Sequence, residues 1–249
     1  MTLWDGLLEK IKAEWRANPD TYLRQETISR CLHPEFFHWY EGYWNELQTT
    51  NWFDAIPKIA DGRVGKPWSC KQFAGLSPVT VGHMYQLHMI ERYMGVSIAR
   101  NEVQHVTEIG GGYGNTCRIA RALGYTGEWT IVDFPIMLEI QRQYLKDNGI
   151  YDVEFETEAH VKPSPSILIA AYSVSEMPMC DRLKLEDAYP DFDYLFFAHN
   201  DFFDGISNIK YFYNLVWRLE RKGFRVDWRP DFCRQDIGVN HWFVLADSP

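Results

Sequence analysis

The sequence lacks paired cysteines and long apolar runs. Its five cysteines are scattered over 249 residues without a Cys-x-x-Cys pair, so neither a disulfide framework nor a thiolate zinc site is expected. No apolar run approaches the roughly 18 residues that a membrane-spanning helix needs. No secretory leader is expected either. The expected location is therefore the cytoplasm, with no membrane partner.

Positive charge is also scarce. Lys and Arg number 25 against 34 Asp and Glu, a formal net charge of −9. Because an acidic surface repels phosphate backbones, nucleic acid is not an expected partner. Aromatic residues, in contrast, make up 16% of the chain. Aromatic rings fill cores, but they also line pockets for sugars and purines.

The chain divides into two regions with different patterns. Residues 1–76 are aromatic-rich and predicted to be helical and irregular, either a small stabilising cap or a lid over a pocket. The rings within 31–53 could equally form a contact in a homodimer. Residues 77–249 alternate short strands with helices, which predicts an α/β domain with a parallel sheet. The last two strands, near 224–228 and 241–245, have no helix between them and should form an antiparallel pair at one edge.

A glycine-rich segment, Glu108-Ile109-Gly110-Gly111-Gly112-Tyr113-Gly114, lies between a predicted strand and a predicted helix. Glycines there allow a sharp turn and a close approach of the backbone to a ligand. Asp133 ends the next predicted strand, 19 residues after Gly114. In a parallel sheet these two strand ends are neighbours, so Asp133 could accept hydrogen bonds from ribose hydroxyls.

The spacing of the glycines bears on which cofactor is bound. A dinucleotide site favours G-x-G-x-x-G, whereas here Asn115 follows Gly114. Glu108, which precedes the turn, suits a cationic methionine amine better than a pyrophosphate. No phosphate-binding G-x-x-x-x-G-K-[ST] loop occurs in the sequence. A dinucleotide-dependent dehydrogenase and a tight turn without a ligand remain the alternatives.

Three segments resemble class I S-adenosylmethionine-dependent methyltransferases. They are the glycine segment, Ile131-Val132-Asp133-Phe134-Pro135 and Tyr172-Ser173-Val174-Ser175-Glu176-Met177-Pro178. Together with the closing strand pair they resemble, more narrowly, the sugar O-methyltransferase family. The resemblance implies a Rossmann-like fold with a seven-stranded, mostly parallel sheet and an antiparallel last strand. S-adenosylmethionine would lie over the carboxyl ends of strands one, two and four.

The resemblance also implies roles for individual residues. The glycine turn would hold the methionine part of the cofactor, Asp133 the ribose, and Phe134 and Glu158 the adenine. The complete set of cofactor contacts implied is Glu108, Gly110, Gly112, Tyr113, Gly114, Asp133, Phe134, Glu158 and Tyr172. One departure concerns the third and fourth strands, which only about ten residues separate, with Pro163 and Pro165 among them. The usual crossover helix should therefore be short or missing.

Methyl transfer to a neutral hydroxyl benefits from a base that removes the proton. His199, after the fifth strand, is the first candidate because imidazole titrates near neutrality. Glu176, after the fourth strand, is the second. The alternatives are a polar loop contact for His199 and a turn cap for Glu176. Asn200, Asp201, Asp204 and Glu176 could together hold a divalent ion, but acids before a glycine are more often turn formers, so no metal is expected.

The sequence thus predicts an S-adenosylmethionine-dependent enzyme that methylates a hydroxyl of a sugar or nucleotide-linked sugar. A methyltransferase for another small-molecule O- or N-acceptor is the alternative within enzymes. A non-catalytic nucleotide-binding module of the same fold is the alternative outside them.

Overall fold

The computed structural model describes residues 3–32, 36–160, 162–233 and 240–248. Its first third is helical with short 3-10 turns, as the sequence predicts. Among the described residues, no helix is long and apolar enough to cross a membrane. The helices before the sheet are α1 (Leu3–Ala17), α2 (Glu26–Leu32), α3 (Glu41–Leu47), α4 (Ile56–Ile59) and α5 (Pro78–Met94).

The ends of α5 follow from local chemistry. The Ser77 hydroxyl accepts a hydrogen bond from the backbone N–H of Thr80 at 3.1 Å, and Pro78 occupies the first helical position, where no N–H is needed. Gly95 ends the helix in a left-handed conformation, with φ of +71°. Both ends of α5 are therefore set by residues adjacent to it in sequence.

The described residues form a main sheet of β1 (His105–Ile109), β2 (Glu128–Val132), β3 (Val153–Glu156), β4 (Ser166–Ala171), β5 (Tyr194–Asn200), β8 (Arg225–Pro230) and β9 (His241–Asp247), and a separate hairpin of β6 (Phe202–Phe203) and β7 (Ile206–Ser207). The seven strands of the main sheet lie in the order β3-β2-β1-β4-β5-β9-β8. Strand β9 is antiparallel to both of its neighbours, while the other strands run parallel to one another. The predicted mostly parallel sheet with an antiparallel last strand is confirmed.

The connections place helices between most strands. Between β3 and β4, however, the described residues contain no helix, as the short, proline-containing connection predicts. The remaining helices are α6 (Asn115–Ala122), α7 (Pro135–Asp147), α8 (Ser173–Glu176), α9 (Met179–Glu186) and α10 (Asn208–Arg221).

The sheet is buried on both faces. Successive residues of β4 alternate between two core clusters: Ile167 and Ile169 lie in one, Leu168 and Ala170 in the other. The first cluster also contains residues of the N-terminal region, such as Ile11 and Trp44. Residues from both sides of position 76 therefore share one core. The division of the chain at that position stays a prediction.

Candidate functional site

The glycine turn joins the end of β1 to the start of α6. Gly110, Gly112 and Gly114 have φ of +69°, +57° and +95°, values that side-chain-bearing residues rarely adopt. A Cβ at Gly110 would also stand 2.3 Å from the Cβ of Ser173. Conformation and close packing both explain why this turn is built of glycine.

Gly112 differs from its neighbours in what surrounds it. A Cβ at Gly111 would meet Ile131 at 2.9 Å, and one at Gly114 would meet Leu145 at 3.2 Å. A Cβ at Gly112 would meet nothing within 4 Å. The backbone at Gly112 is therefore where the turn can be approached by a ligand.

Asp133 lies beside this turn, as the sequence predicts. Its Oδ1 accepts a hydrogen bond from the backbone N–H of Phe134 at 2.8 Å. Its Oδ2 accepts one from Gln141 Nε2 at 2.7 Å, and the same nitrogen donates to the carbonyl oxygen of Gly112 at 2.9 Å. Gln141 was not among the predicted site residues. A polar residue on the inward face of α7, one turn from the buried Leu138 and Tyr144, is the sequence feature that could have indicated it.

Glu108 lies beneath the turn and is 4% exposed. Its Oε2 accepts a hydrogen bond from Trp129 Nε1 at 3.1 Å, and it is 3.3 Å from where a Cβ of Gly111 would stand. The Glu108 side chain thus packs beneath the glycine turn, on the side that faces the protein interior. Its predicted contact with the methionine amine stays a prediction.

The carboxyl groups of Glu108 and Asp133 both have raised pKa values. Burial raises the pKa of Glu108 to about 7, against the hydrogen bonds from Thr116 and Trp129, and the charge of Asp133 adds to the rise. Burial likewise raises the pKa of Asp133 to about 7, against hydrogen bonds from Phe134, Gln141 and Gly111. Desolvation disfavours the charged form of a carboxyl group. A cation bound nearby would reverse that preference.

The other predicted cofactor-binding residues differ in how exposed their side chains are. The ring of Tyr113 is buried and packs edge-on against Tyr144, with ring centroids 4.9 Å apart, so only its backbone is available to a ligand. Phe134 is 44% exposed and lies beside Trp4, with ring centroids 6.4 Å apart. Glu158 is exposed in the segment after β3.

Tyr172 occupies a strained position at the end of β4. Its φ is +68°, a value that costs free energy for a bulky residue. Its backbone N–H donates to the carbonyl oxygen of Ala198 at 2.7 Å, and its ring stands perpendicular to that of His241 at 5.5 Å. The next residue, Ser173, donates to the carbonyl oxygen of Ile109. These contacts hold the end of β4 against the glycine turn.

His199 lies in a position that disfavours the predicted role as base. Its side chain is fully buried and stacks on Phe212, with ring centroids 3.9 Å apart. Trp228 Nε1 lies 3.2 Å from its Nε2. Because an indole N–H can only donate, Nε2 is the acceptor, and Nδ1 carries the proton and donates to the carbonyl oxygen of Asn200 at 3.1 Å.

Both nitrogens of His199 are therefore engaged, and burial lowers the pKa of its imidazole to about 4. A protonated His199 would lose its bond to Trp228. This geometry fits the alternative role of His199, a polar residue hydrogen-bonded within the protein. Its assignment as the base stays a prediction that the structure does not favour.

Glu176, the second candidate, ends α8 and is half-buried. After burial, its charge is the largest cause that raises the pKa of the Cys31 thiol. Because α8 directly follows β4, Glu176 lies at the carboxyl edge of the sheet.

Three of the four residues considered as metal ligands, all except Glu176, are occupied by other contacts or built into a turn. Asp201 accepts hydrogen bonds from Trp242 Nε1 at 2.7 Å and Asn240 Nδ2 at 2.6 Å. Asn200 Oδ1 accepts one from Asn208 at 2.6 Å. Asp204, with φ of +44°, forms the hairpin turn between β6 and β7. Within the described part of the chain, no group of three or more His, Cys, Asp or Glu residues could hold a metal ion.

The chain resembles solved structures of known proteins in its fold. No family model matches the sequence, and no curated protein matches it. Among similar solved structures is a precorrin-6y C5,15-methyltransferase from Geobacter metallireducens, 15% identical, with a TM-score of 0.46 over 73% of this chain and 94% of that one. A mitomycin 7-O-methyltransferase is 15% identical, with a TM-score of 0.42 over 85% and 68%.

A ribosomal protein L11 methylase from Lactobacillus delbrueckii subsp. bulgaricus is 17% identical, with a TM-score of 0.44 over 68% of this chain and 80% of that one. The named acceptors of these proteins differ widely. At such identities the likeness concerns the fold alone, and the strand order of this chain already establishes that its fold is Rossmann-like.

Proposed function

We propose that this protein is an S-adenosylmethionine-dependent methyltransferase acting on a hydroxyl of a sugar or nucleotide-linked sugar. The observation that supports it most is the glycine turn held against Asp133 by Gln141. This arrangement lies at the carboxyl end of β1, between β2 and β4. There the chain connections diverge to the two sides of the sheet, which is where ligands bind in open α/β folds.

The chemistry of the turn fits this cofactor. Gly112 leaves space for a close approach, and Asp133 offers carboxylate oxygens to ribose hydroxyls. Two carboxyl groups with pKa values of about 7 favour a ligand that carries positive charge, such as a sulfonium with an ammonium group. They disfavour the pyrophosphate of a dinucleotide, which would place like charges close together.

Bound S-adenosylmethionine would supply an electrophilic methyl group, and the protein would align the acceptor and accept its proton. Because both nitrogens of His199 are engaged, we assign proton acceptance to Glu176. Its carboxylate would take the hydroxyl proton while the new oxygen–carbon bond forms and the sulfur–carbon bond breaks. The half-buried ring of Tyr172, held edge-on against the buried His241, offers aromatic surface to a sugar at the same edge. The net charge of −9 supports a small acceptor over a polynucleotide.

The proposal is tested by calorimetric titration of the purified protein with S-adenosylmethionine and, in parallel, with NAD. The variants are Asp133→Ala and Gly112→Val, with Gly124→Val as the matched control. Gly124 also has a positive φ, +105°, and no atom within 4 Å of a Cβ, but it follows α6 at the opposite edge of the sheet. Both valines therefore strain the backbone similarly, and only the one at position 112 enters the proposed cofactor site.

We expect the wild-type protein and Gly124→Val to bind S-adenosylmethionine but not NAD, and the other two variants to lose binding. Protein that binds is then incubated with S-adenosylmethionine carrying a labelled methyl group and a panel of sugars and sugar nucleotides. Failure of the wild-type protein to bind S-adenosylmethionine contradicts the whole proposal. Transfer of label only to a different small molecule contradicts the sugar assignment and leaves the methyltransferase assignment standing.

A further inference from the structure

Two aromatic rings from distant parts of the chain meet beside the proposed cofactor site. Phe134 directly follows Asp133 and is 44% exposed. Trp4, near the start of α1, lies opposite it, with ring centroids 6.4 Å apart and planes inclined by 38°. This pairing brings the N-terminal region to the end of β2.

The separation of the rings is close to what a purine requires. A flat ring sandwiched between two others needs centroids about 7 Å apart, twice a contact distance of about 3.5 Å. At 6.4 Å and 38° the two rings pack directly on each other. To admit a purine, rotation of the two side chains would have to part the rings by less than about 1 Å and turn their planes closer to parallel.

The position of Trp4 is supported by the packing of its helix. The inward stripe of α1 includes Ile11, which is fully buried. Glu14 of the same helix accepts hydrogen bonds from the backbone N–H groups of Thr27 and Ile28 at 2.9 and 3.0 Å. This network joins α1 to the start of α2.

At the other end of the same segment, burial and the charge of Glu176 on α8 both raise the pKa of the Cys31 thiol on α2. Residues 3–32 therefore contact the end of β2 and also interact electrostatically with the helix that follows β4. The N-terminal region therefore contacts the end of β2 through Trp4 and also packs on the sheet.

We propose that Trp4 and Phe134 form an adenine clamp, in which the adenine of the cofactor stacks between the two rings. The clamp rests on the proposed function. It makes α1 part of the cofactor site and explains why a large aromatic ring at Phe134 remains exposed. The chemistry recognised is the flat face of a purine attached to a ribose.

The test measures binding of S-adenosylhomocysteine to the full-length protein by calorimetry. Trp4→Leu keeps apolar bulk on α1 but removes the ring, whereas Trp4→Phe keeps a ring. Trp217→Ala is the control, since Trp217 is 51% exposed on α10 and outside the site. Because stacking on an aromatic ring contributes strongly to the binding of a base, we expect Trp4→Leu to bind about tenfold more weakly. Trp4→Phe and Trp217→Ala should bind like the wild-type protein.

A double-mutant cycle with Phe134→Leu adds a second readout. If both rings hold one adenine, the two substitutions combined should weaken binding by less than the product of their separate effects. Unchanged binding by Trp4→Leu overturns the clamp while the cofactor assignment stands. Failure of the wild-type protein to bind S-adenosylhomocysteine overturns the proposed function, and the clamp with it. Thermal melting of each variant checks that α1 remains folded.

Discussion

The side-chain amide of Gln141 joins Gly112 to Asp133. Its nitrogen donates at 2.9 Å to the carbonyl oxygen of Gly112 and at 2.7 Å to the carboxylate of Asp133. Gln141 is fully buried, so water does not compete for these bonds. The turn after β1 and the acid after β2 are thus held in one relative position, which lowers the ordering cost of binding a ligand between them.

Replacing Gln141 with Leu should therefore loosen the site. The substitution removes both hydrogen bonds and leaves the half-buried carbonyl of Gly112 and carboxylate of Asp133 without this donor, at a cost of about 1–3 kcal/mol in the free energy of unfolding. Affinity for S-adenosylmethionine should fall as well. Chemical denaturation and calorimetry measure the two effects.

Gln143→Leu, on the exposed face of the same helix, is the control because its bond to Asp147 lies within one turn. This variant should match the wild-type protein in both measurements. Equal behaviour of the two variants would show that Gln141 does not organise the site.

The raised pKa of Asp133 predicts a pH dependence of cofactor binding. The group titrates at about 7, so it is mostly protonated at pH 6 and mostly ionised at pH 8. Since a cation favours the ionised form, affinity for S-adenosylmethionine should increase across this interval. Asp133→Asn should bind weakly with a flatter profile. A wild-type profile that falls from pH 6 to pH 8 would contradict the interpretation.

Glu108 should destabilise the protein as pH rises. Its folded-state pKa of about 7 exceeds the ordinary 4.5, so the folded protein binds more protons between these values and stability falls as pH rises through that window. The difference between these two pKa values corresponds to about 3 kcal/mol. Glu108→Gln cannot ionise, so its stability relative to wild type should increase from pH 5 to pH 8, as measured by urea denaturation. A pH-independent difference would show that Glu108 titrates normally.

His199 should have the opposite effect on stability: its contribution to the free energy of unfolding should increase as pH rises. Its pKa is lowered from 6.5 to about 4, so the unfolded chain binds more protons between these values. This histidine therefore adds stability that is present above pH 6.5 and lost as pH falls through the window, by up to about 3 kcal/mol. His199→Gln should lose less stability than wild type between pH 7 and pH 5 in the same denaturation experiment.

The same variant tests the catalytic assignment. If His199 only packs, a folded His199→Gln should keep most of its methyl-transfer rate with any acceptor that the screen identifies, while Glu176→Gln should lose it. A rate lost in His199→Gln, with cofactor binding intact, would restore His199 as the base.

Asp61 and Arg118 link the two regions of the chain. Their side chains are 5% and 6% exposed and lie 3.3 Å apart, and Asp61 also accepts a hydrogen bond from Thr80 at 2.5 Å. Removing one partner leaves the other charge buried, so Asp61→Ala should cost about 3–5 kcal/mol of unfolding free energy. Glu139→Ala, which breaks the exposed pair with Arg16, should cost about 1 kcal/mol or less. Similar losses in both variants would contradict the tight coupling of residues 1–76 to α6.

Much of the fold was predictable because sequence patterns over a few neighbouring residues determine its turns, strands and helices. The strand–turn–helix around the glycines, the Ser77 cap and the short β3–β4 connection all depend on residues near one another in sequence. The antiparallel pair of β8 and β9 followed from the missing helix between them. The ends of these two strands, Arg225–Pro230 and His241–Asp247, lie within two residues of the predicted bounds.

The candidate site was predictable in outline and not in detail. Adjacent strand ends bring Asp133 to the glycine turn in any sheet of this order, so that pairing followed from topology. The contacts of His199 did not, because Trp228 lies 29 residues away on another strand and nothing local marks it as a partner. A histidine after a strand has the same sequence signature whether its nitrogens are engaged or available.

The sequence by itself determined the alternation of strands and helices, the glycine turn and the acidic residue that follows the next strand. It did so because backbone conformation and hydrophobic periodicity are encoded over a few neighbouring residues. Only the tertiary structure decided that Gln141 joins the turn to Asp133, that Trp228 engages His199 and that Trp4 faces Phe134. Those contacts depend on how whole helices and strands pack, and packing brings together side chains that no local pattern connects.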